Sequence, residues 1–237
     1  ADVVLAAPAD VSLPSLDLHV RNAIPVQAGL GSSAAAIVAG LRIVEAIAPP
    51  ADPCALLETA TTLEGHPDNV SASLLGGLTV SAQHDTRTIA LASPWPDRIA
   101  VVVATPAVAL ATKQARGVLP VSITQADAIF NLQHTALLLQ AIHTGELEAL
   151  REALHDRLHQ PYRAPLVPGL PEALAWSHPT LLGVFLSGAG PSIAAFALDD
   201  PGPVVDRFTR LYASLSLDAT VRVLHVLEAL EGGTSRH

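Results

Sequence analysis

The sequence predicts an α+β protein in two halves, each built from packed layers of helices and strands. Segments with strand-like and helix-like patterns alternate on both sides of Pro94, Trp95 and Pro96, which favours α+β layers over a helix bundle. Half of the 237 residues are apolar and only 15% are charged, so the chain has ample material for buried cores. We therefore predict two domains, residues 1–96 and 97–237, divided at the proline-rich segment.

The first half begins with a predicted strand and continues mainly with helices. Leu16, Leu18 and Val20 alternate with polar residues, the period-two pattern of a half-buried strand. The run after Gly31 is rich in alanine, which favours a helix, and Pro53 suits the first position of another helix. The predicted elements are a strand at 16–20, helices at 32–47, 53–64 and 69–75, and strands at 78–82 and 88–92.

The second half begins with an uninterrupted apolar run at 99–104, which is typical of a strand buried on both faces. Prolines cluster between residues 160 and 171, which predicts a loop there. The other predicted elements are helices at 122–144, 146–158 and 203–214, and strands at 181–186, 192–198 and 220–227, with a glycine-rich turn at 187–191.

The composition argues against nucleic-acid and membrane partners. The chain has 22 acidic and 13 basic residues, a net charge of −9, and nucleic-acid binding needs clustered basic residues. Its longest uncharged stretch, 22–41, contains Pro25, Gln27 and several glycines, which does not favour a transmembrane helix. Cys54 is the single cysteine, so no internal disulfide can form, as suits a reducing cytoplasm. We expect a cytoplasmic protein.

The strongest chemical signal is a glycine-rich loop that leads into the first helix. Its residues are Pro25, Val26, Gln27, Ala28, Gly29, Leu30, Gly31, Ser32, Ser33, Ala34 and Ala35. Glycines let the backbone approach a ligand, and a helix start offers unpaired N–H groups and a positive dipole to a phosphate. Such turns also occur without a phosphate, and neither of the two commonest nucleotide-binding patterns is present.

Four further segments carry polar groups that could serve a phosphoryl-transfer site. Residues 64–69 place two carboxylates, an imidazole and an amide in six positions, which suits Mg²⁺ but equally suits a helix cap after a Gly-His-Pro turn. Thr112 and Arg116 share a predicted helix face, Arg163 follows Pro161 and Tyr162, and residues 186–192 form a second glycine-rich turn. Taken singly, these arginines would be solvated surface residues and the turn an ordinary hairpin.

Together and in this order, the segments resemble the GHMP kinase superfamily, which comprises galactokinases, homoserine kinases, mevalonate kinases and phosphomevalonate kinases. The PxxxGLGSSAA loop and the GAGPS turn are similar to its ATP-phosphate motif and third motif. The EGHPDN, TKxARxxLP, PYRAxLxPG and LSGAGPS segments resemble the homoserine kinase family within it. The resemblance implies a GHMP kinase fold, with a ribosomal-protein-S5-domain-2-like N-terminal part and a ferredoxin-like C-terminal part.

The resemblance also implies residue roles. Residues 25–35 would bind the phosphates of ATP, with Ser33 and Glu64 at Mg²⁺, although literal residue counting selects Glu58 in place of Glu64. The residues implied to bind homoserine are His66, Asp68, Thr112, Arg116 and Arg163, of which Asp68, Arg116 and Arg163 are the candidate catalytic residues. The turn at 188–192 would support the active-site loops, and a homodimer is compatible with the family.

One family feature lies outside this sequence. The family's first motif, similar to PxTSANLGPGFD, precedes everything present here, and the chain begins with Ala1 and contains no methionine. We therefore expect an N-terminally incomplete chain that lacks the leading strands, and little homoserine kinase activity from residues 1–237 alone.

The implied reaction is transfer of the γ-phosphoryl group of ATP to the hydroxyl of L-homoserine, a step of threonine biosynthesis. Two alternatives stay open at this point. One is another GHMP kinase, acting on mevalonate or a methylerythritol derivative, whose substrate has no α-ammonium group for His66 and Asp68 to face. The other is a non-catalytic remnant that still folds, and the sequence upstream of Ala1 would discriminate it from an enzyme.

Overall fold

The computed structural model describes residues 15–47, 53–85, 87–108, 110 and 112–230. They belong to two compact units, and the chain passes from unit 1 to unit 2 after Trp95 and returns to unit 1 at Val226. Unit 2 also includes Gln27–Leu30. The division into domains at residues 96 and 97 stays a prediction of the sequence.

The described residues of unit 1 form three helices and a two-stranded hairpin. The helices are α1 (Ser32–Ile47), α2 (Pro53–Glu64) and α3 (Asp68–Leu75), and the antiparallel strands are β1 (Leu78–His84) and β2 (Arg87–Ser93). Small and branched apolar side chains from all three helices and from β2 form its core, which is what a sequence rich in alanine and poor in aromatic residues predicts. The buried residues are Ala34, Val38, Leu41, Leu56, Leu57, Ala60, Val70, Leu74 and Ala90.

The last described residues return to unit 1 and pair with the end of α3. The Gly77 amide donates a hydrogen bond to the Leu227 carbonyl at 2.8 Å, and the Leu230 amide donates to the Leu75 carbonyl at 2.8 Å. A side chain at Gly76, where φ is +69°, would collide with the Glu228 carbonyl. The glycine pair after α3 therefore lets residues 226–230 close against unit 1.

Unit 2 is an antiparallel sheet covered by helices. Its strands are β3 (Ile99–Pro106), β4 (Leu181–Leu186), β5 (Ile193–Leu198) and β6 (Ala219–Leu224), in the order β4-β5-β3-β6. Its helices are α4 (Thr112–Gly117), α5 (Gln125–Thr144), α6 (Leu150–Ala153), α7 (Gln160–Arg163), α8 (Leu170–Leu174) and α9 (Gly202–Ser214), with single 3₁₀ turns at Leu147–Ala149 and Ala164–Leu166.

The connectivity of unit 2 is β-α-β-β-α-β, with helices between β3 and β4 and between β5 and β6. This order of elements, with every neighbouring pair antiparallel, is the ferredoxin-like arrangement. The fully buried Phe208 and nearly fully buried Tyr212 of α9 pack in the same core as Val102 of β3. The predicted ferredoxin-like part is confirmed.

Most predicted elements are confirmed, but the strand at 16–20 is wrong. This segment is irregular, and Val20 is 76% exposed. A strand needs a hydrogen-bonded neighbour, and among the described residues no strand pairs with it. Alternation alone therefore did not decide the structure here.

The predicted helix at 146–158 is too long, since helical structure there ends at Ala153, and the predicted loop at 160–171 is wrong. The helix is shortened to α6 because the Asp156 carboxylate accepts hydrogen bonds from the amides of His159 and Gln160, and such side-chain bonds compete with helix continuation. In the proline-rich segment, prolines stand in the first turns of α7, the Ala164–Leu166 turn and α8. Proline is tolerated there because its missing N–H would have had no partner in the helix.

Within the part of the chain that the structure describes, none of the helices combines the length and the apolar character that crossing a membrane requires.

Candidate active site

The glycine-rich loop begins in unit 2, where it is bound to the second glycine-rich turn. The Ser187 hydroxyl donates a hydrogen bond to the Gly29 carbonyl at 2.8 Å, and the Ser192 amide donates to the Ala28 carbonyl at 3.2 Å. Gly29 has φ +75°, and a Cβ atom there would collide with the Ser187 carbonyl and lie 2.9 Å from the Gly190 amide. Only glycine fits this conformation and this close approach.

The loop continues in unit 1 as the start of α1. Gly31 has φ +69°, and its carbonyl accepts the first hydrogen bond of the helix, from the Ala35 amide at 3.0 Å. The helix spans 16 residues and has no acidic residue in its first turn. Its N-terminus therefore has no carboxylate of its own to offset the positive end of the dipole, which is the end that stabilises bound anions.

Ser33, in the first turn of α1, contacts the glutamate that ends α2. Its hydroxyl donates a hydrogen bond to Glu64 Oε1 at 2.6 Å. The expectation that Glu64, and not Glu58, points toward Ser33 is confirmed by this contact. A hydroxyl and a carboxylate held together are hard oxygen ligands of the kind that Mg²⁺ prefers.

The short connection between α2 and α3 orients a second carboxylate. Asp68 Oδ1 lies 2.6 Å from Nδ1 of His66 and accepts the Asn69 amide at 2.6 Å. The Asp68 side chain is 73% exposed and the His66 side chain 34% exposed, so the pair is accessible to solutes. A solvent-accessible carboxylate that a neighbouring imidazole holds in place can bind a small cation such as an ammonium group.

In unit 2, Arg163 ends α7 and is held by backbone carbonyls. Its Nε donates to the Ala115 carbonyl at 3.0 Å, and one terminal nitrogen donates to the Gly188 carbonyl at 3.2 Å. The same nitrogen lies 3.5 Å from Nδ1 of His159. These contacts fix the plane of the guanidinium group, so that the rest of it can be presented to an anion in a defined direction.

Arg116 lies in the last turn of α4 and acts on Arg163 through its charge. Burial lowers the pKa of Arg163, and the like charge of Arg116 lowers this pKa further. Two arginines near one another form a positive region that would favour a carboxylate or a phosphate. Thr112 begins α4, and its side chain lies outside the described part of the chain.

The turn at 187–191 connects β4 to β5 and contacts the residues of unit 2 named above. The Ser187 amide donates to the Ser192 carbonyl at 3.0 Å, and the buried Ser192 hydroxyl lies 2.8 Å from the Thr105 hydroxyl. One turn thus holds the Gly29 carbonyl on one side and the Arg163 guanidinium on the other. The sequence had indicated a supporting turn, and its contacts agree with that.

Three residues that the sequence analysis missed lie next to Arg163: Asp156, His159 and Gln160. Asp156 accepts hydrogen bonds from two amides and from Asn131 Nδ2. The buried Gln160 accepts the Leu186 amide at 2.8 Å. An aspartate shortly before a proline-bearing helix start is a capping signal, and that signal could have drawn attention to Asp156.

The contacts are thus established separately in each unit. Unit 1 brings together Ser33 with Glu64 and His66 with Asp68. Unit 2 brings Arg163 near Arg116 and the glycine turn. That the two arginines converge on one cleft with His66 and Asp68 stays a prediction.

Two family models match the chain. The model for the GHMP kinases N terminal domain matches residues 2–77, and the model for the GHMP kinases C terminal matches residues 138–214. A solved homoserine kinase from Cytophaga hutchinsonii has the same fold, with a TM-score of 0.80 at 23% identity over 88% of this chain and 69% of that chain.

Curated relatives are closer in sequence. A homoserine kinase from Moorella thermoacetica is 42% identical over 211 residues, which are 88% of this chain and 71% of that protein. One from Solibacter usitatus is 44% identical over 190 residues, or 78% of this chain and 62% of that protein. The chain therefore spans between 62% and 71% of the length of these two relatives.

These matches agree with the local geometry. The fold is that of the GHMP kinases, which use ATP as phosphoryl donor. The glycine loop, the helix start and the turn at 187–191 are the features by which the sequence resembled that superfamily. The chain belongs to the homoserine kinase family of the GHMP kinases.

Proposed function

We propose that the full-length gene product transfers the γ-phosphoryl group of ATP to the hydroxyl oxygen of L-homoserine, giving O-phospho-L-homoserine and ADP. The observation that carries this proposal is the 42% identity to a homoserine kinase across 88% of the chain. The step forms a bond between the homoserine oxygen and the γ-phosphorus, breaks the bond from that phosphorus to the ADP oxygen, and releases the hydroxyl proton to solvent. We locate the reaction in the cytoplasm and expect a homodimer.

We assign the phosphates of ATP to residues 25–35. The backbone amides at the start of α1 and the glycines at 29 and 31 are groups that accommodate phosphate oxygens. Phosphoryl transfer depends mainly on positioning and on neutralising charge. The loop is held to the second glycine-rich turn by one hydrogen bond at the Ala28 carbonyl and one at the Gly29 carbonyl, which supports the positioning part.

We assign Mg²⁺ to Ser33 and Glu64. Their oxygens lie 2.6 Å apart, and this donor set fits a hard cation that keeps several waters and phosphate oxygens as its other ligands. When bound, Mg²⁺ would neutralise charge on the phosphate oxygens.

We assign homoserine to His66, Asp68, Thr112, Arg116 and Arg163. The exposed Asp68 carboxylate, held by His66, suits the α-ammonium group, and the guanidinium groups suit the α-carboxylate, which arginine can bind through two hydrogen bonds. In this assignment, Asp68, Arg116 and Arg163 contact the substrate and orient its hydroxyl toward the γ-phosphorus. No residue is assigned the role of a general base.

A coupled ADP-release assay tests the proposal. With the full-length gene product, Mg²⁺ and ATP, we expect homoserine-dependent ADP release and none above background with mevalonate. Mass spectrometry of the product should give O-phosphohomoserine. Release that depends on mevalonate, or on neither compound, would contradict the proposal.

The magnesium assignment predicts a matched difference between two glutamates of α2. Glu64→Gln should raise the Mg²⁺ concentration for half-maximal activity by at least about tenfold, since even the loss of outer-shell partners costs ~10–100-fold in metal affinity. Glu58→Gln, in the same helix, should leave the Mg²⁺ dependence unchanged. If Glu58→Gln shifts it instead, literal residue counting had selected the right glutamate.

A further inference from the structure

Asp156 is a buried carboxylate that the proposed chemistry does not use directly. Its side chain is 8% exposed. It accepts hydrogen bonds from the His159 amide at 2.8 Å, the Gln160 amide at 2.7 Å and Asn131 Nδ2 at 2.7 Å. Burial raises the pKa of Asp156, but these hydrogen bonds outweigh burial and lower it overall. The group is therefore ionised at neutral pH, and its charge is satisfied by N–H donors.

The helix that Asp156 caps is short and ends at Arg163. Helix α7 has four residues, and the Arg163 amide donates to the His159 carbonyl at 3.1 Å. Arg163 lies about one helical turn after the capped amides, roughly 5 Å along the axis. Such a short helix has little intrinsic stability, so the hydrogen bonds at its start contribute to fixing where its last residue lies.

A second hydrogen bond ties the same helix to the sheet. Gln160 is only 5% exposed, and its side-chain Oε1 accepts a hydrogen bond from the Leu186 amide at 2.8 Å. Leu186 is the last residue of β4, directly before the turn whose Gly188 carbonyl accepts a hydrogen bond from Arg163. Helix α7 and the turn are thereby held in fixed relative positions, and the Arg163 guanidinium contacts the turn through the Gly188 carbonyl.

Asn131 of α5 anchors the carboxylate from the other side. Its Nδ2 donates to Asp156, and its Oδ1 accepts the Arg157 amide at 2.9 Å. The negative charge of Asp156 also raises the pKa of Arg163, against the lowering by burial and by Arg116. Asp156 thus acts on Arg163 both through the position of α7 and through its charge.

We propose that Asp156 is a positioning residue that sets the orientation of Arg163 for the substrate carboxylate, by capping α7 while Gln160 fixes that helix to the end of β4. The proposal rests on the homoserine-binding role assigned to Arg163 above. Asp156 itself does not contact the substrate. Its loss should therefore affect binding of homoserine far more than binding of ATP.

The kinetic test uses Asp156→Asn in the full-length gene product. The amide keeps the size of the side chain but replaces an acceptor oxygen by a donor and removes the charge. We expect the KM for homoserine to rise about 10–100-fold, since misplacements of about 1 Å can cost 10²-fold, while the KM for ATP changes less than about twofold. Asp200→Asn is the matched control, because Asp200 also caps a helix start in this unit, through the Gly202 amide at 2.9 Å, and it should change neither KM.

A double-mutant cycle separates positioning from general destabilisation. If Asp156 acts through Arg163, adding Asp156→Asn to Arg163→Ala should lower kcat/KM for homoserine by less than about twofold, since the effects of coupled residues do not add. Full additivity of the two substitutions would overturn the proposal. If Asp156→Asn does not fold, Asn131→Ala, which removes one of the three donors, takes its place in the same cycle.

Hydrogen exchange of the protein without substrates gives a readout that does not need activity. Asp156→Asn should speed amide exchange in α7 and in the turn at 187–190, and Asp200→Asn should not. If the wild type lacks homoserine-dependent ADP release yet exchange responds as expected, the proposed function fails and the positioning of Arg163 stands. Unchanged exchange in α7 would overturn the positioning proposal whatever the wild type catalyses.

Discussion

Replacing Gly29 by alanine is expected to lower homoserine-dependent ADP release by about 10²-fold or more. The new Cβ would collide with the Ser187 carbonyl, so the loop could no longer lie against the turn at 187–190. Its hydrogen bonds from Ser187 and Ser192 would be displaced, and the amides that follow would be displaced with them. Small misplacements alone can cost on this scale in a reaction that depends on positioning.

Gly145→Ala is the matched control for this substitution. Gly145 has φ +77°, almost the same as the +75° of Gly29, but no atom lies within 4 Å of the position that its Cβ would take. The Gly145→Ala variant should lose about 1–2 kcal/mol in its free energy of unfolding, from the strain of a left-handed alanine. Its activity should not change. Steady-state rates and thermal unfolding of both variants decide the matter, and equal losses of activity would refute the close-approach explanation.

The second large effect is expected for Arg163→Ala. Loss of a hydrogen bond to a charged partner costs about 1.5–3 kcal/mol, which corresponds to a rise of roughly 10- to 150-fold in the KM for homoserine. The KM for ATP should change much less. Arg163→Lys should not restore binding, because an ammonium group cannot reproduce the fixed fork that bonds to both the Ala115 and Gly188 carbonyls.

Arg98→Ala provides the comparison for Arg163→Ala. Arg98 is also doubly hydrogen-bonded in unit 2, to the carboxylate of Asp199 at 2.8 and 2.6 Å, but it has no proposed role in substrate binding. It should leave both KM values unchanged. Equal increases in the KM for homoserine and for ATP in Arg163→Ala would argue against a carboxylate-binding role.

The sequence predicted the elements whose signals are local. The helix after Gly31 begins at Ser32 as expected, and the uninterrupted apolar run at 99–104 lies within a central strand. The predicted strand at 16–20 is wrong because alternation of apolar and polar residues shows only that a segment could be a strand. A strand also needs a hydrogen-bonded neighbour, which this pattern does not reveal. The prolines at 160–171 predicted a loop, but a proline is also compatible with the first turn of a helix. Which of the two forms depends on the hydrogen bonds that the following residues make, and the sequence does not show these.

The candidate site likewise has features that the sequence predicted and features that it did not. The start of α1 at Ser32 and the proximity of Glu64 to Ser33 followed from the motifs, whereas literal residue counting had selected Glu58. The bracing of Arg163 did not, because its carbonyl partners are 48 and 25 residues away in the chain. Every residue has a backbone carbonyl, so the sequence does not indicate which carbonyl will accept a hydrogen bond from a given arginine.

The return of residues 226–230 to the end of α3 has a consequence for synthesis on the ribosome. Helix α3 and the β1–β2 hairpin emerge early, but the Leu227 carbonyl and Leu230 amide that complete their hydrogen bonds emerge only after all of residues 96–225. At ~5–20 residues per second, that interval is roughly 6–26 s. Unit 2 is completed only at the end of this interval, when unit 1 still lacks residues 226–230, so unit 2 can finish folding before unit 1 does. Until residues 226–230 have emerged, the Leu75 carbonyl and the Gly77 amide of nascent unit 1 lack these hydrogen-bond partners. We expect chaperones to bind unit 1 at this stage.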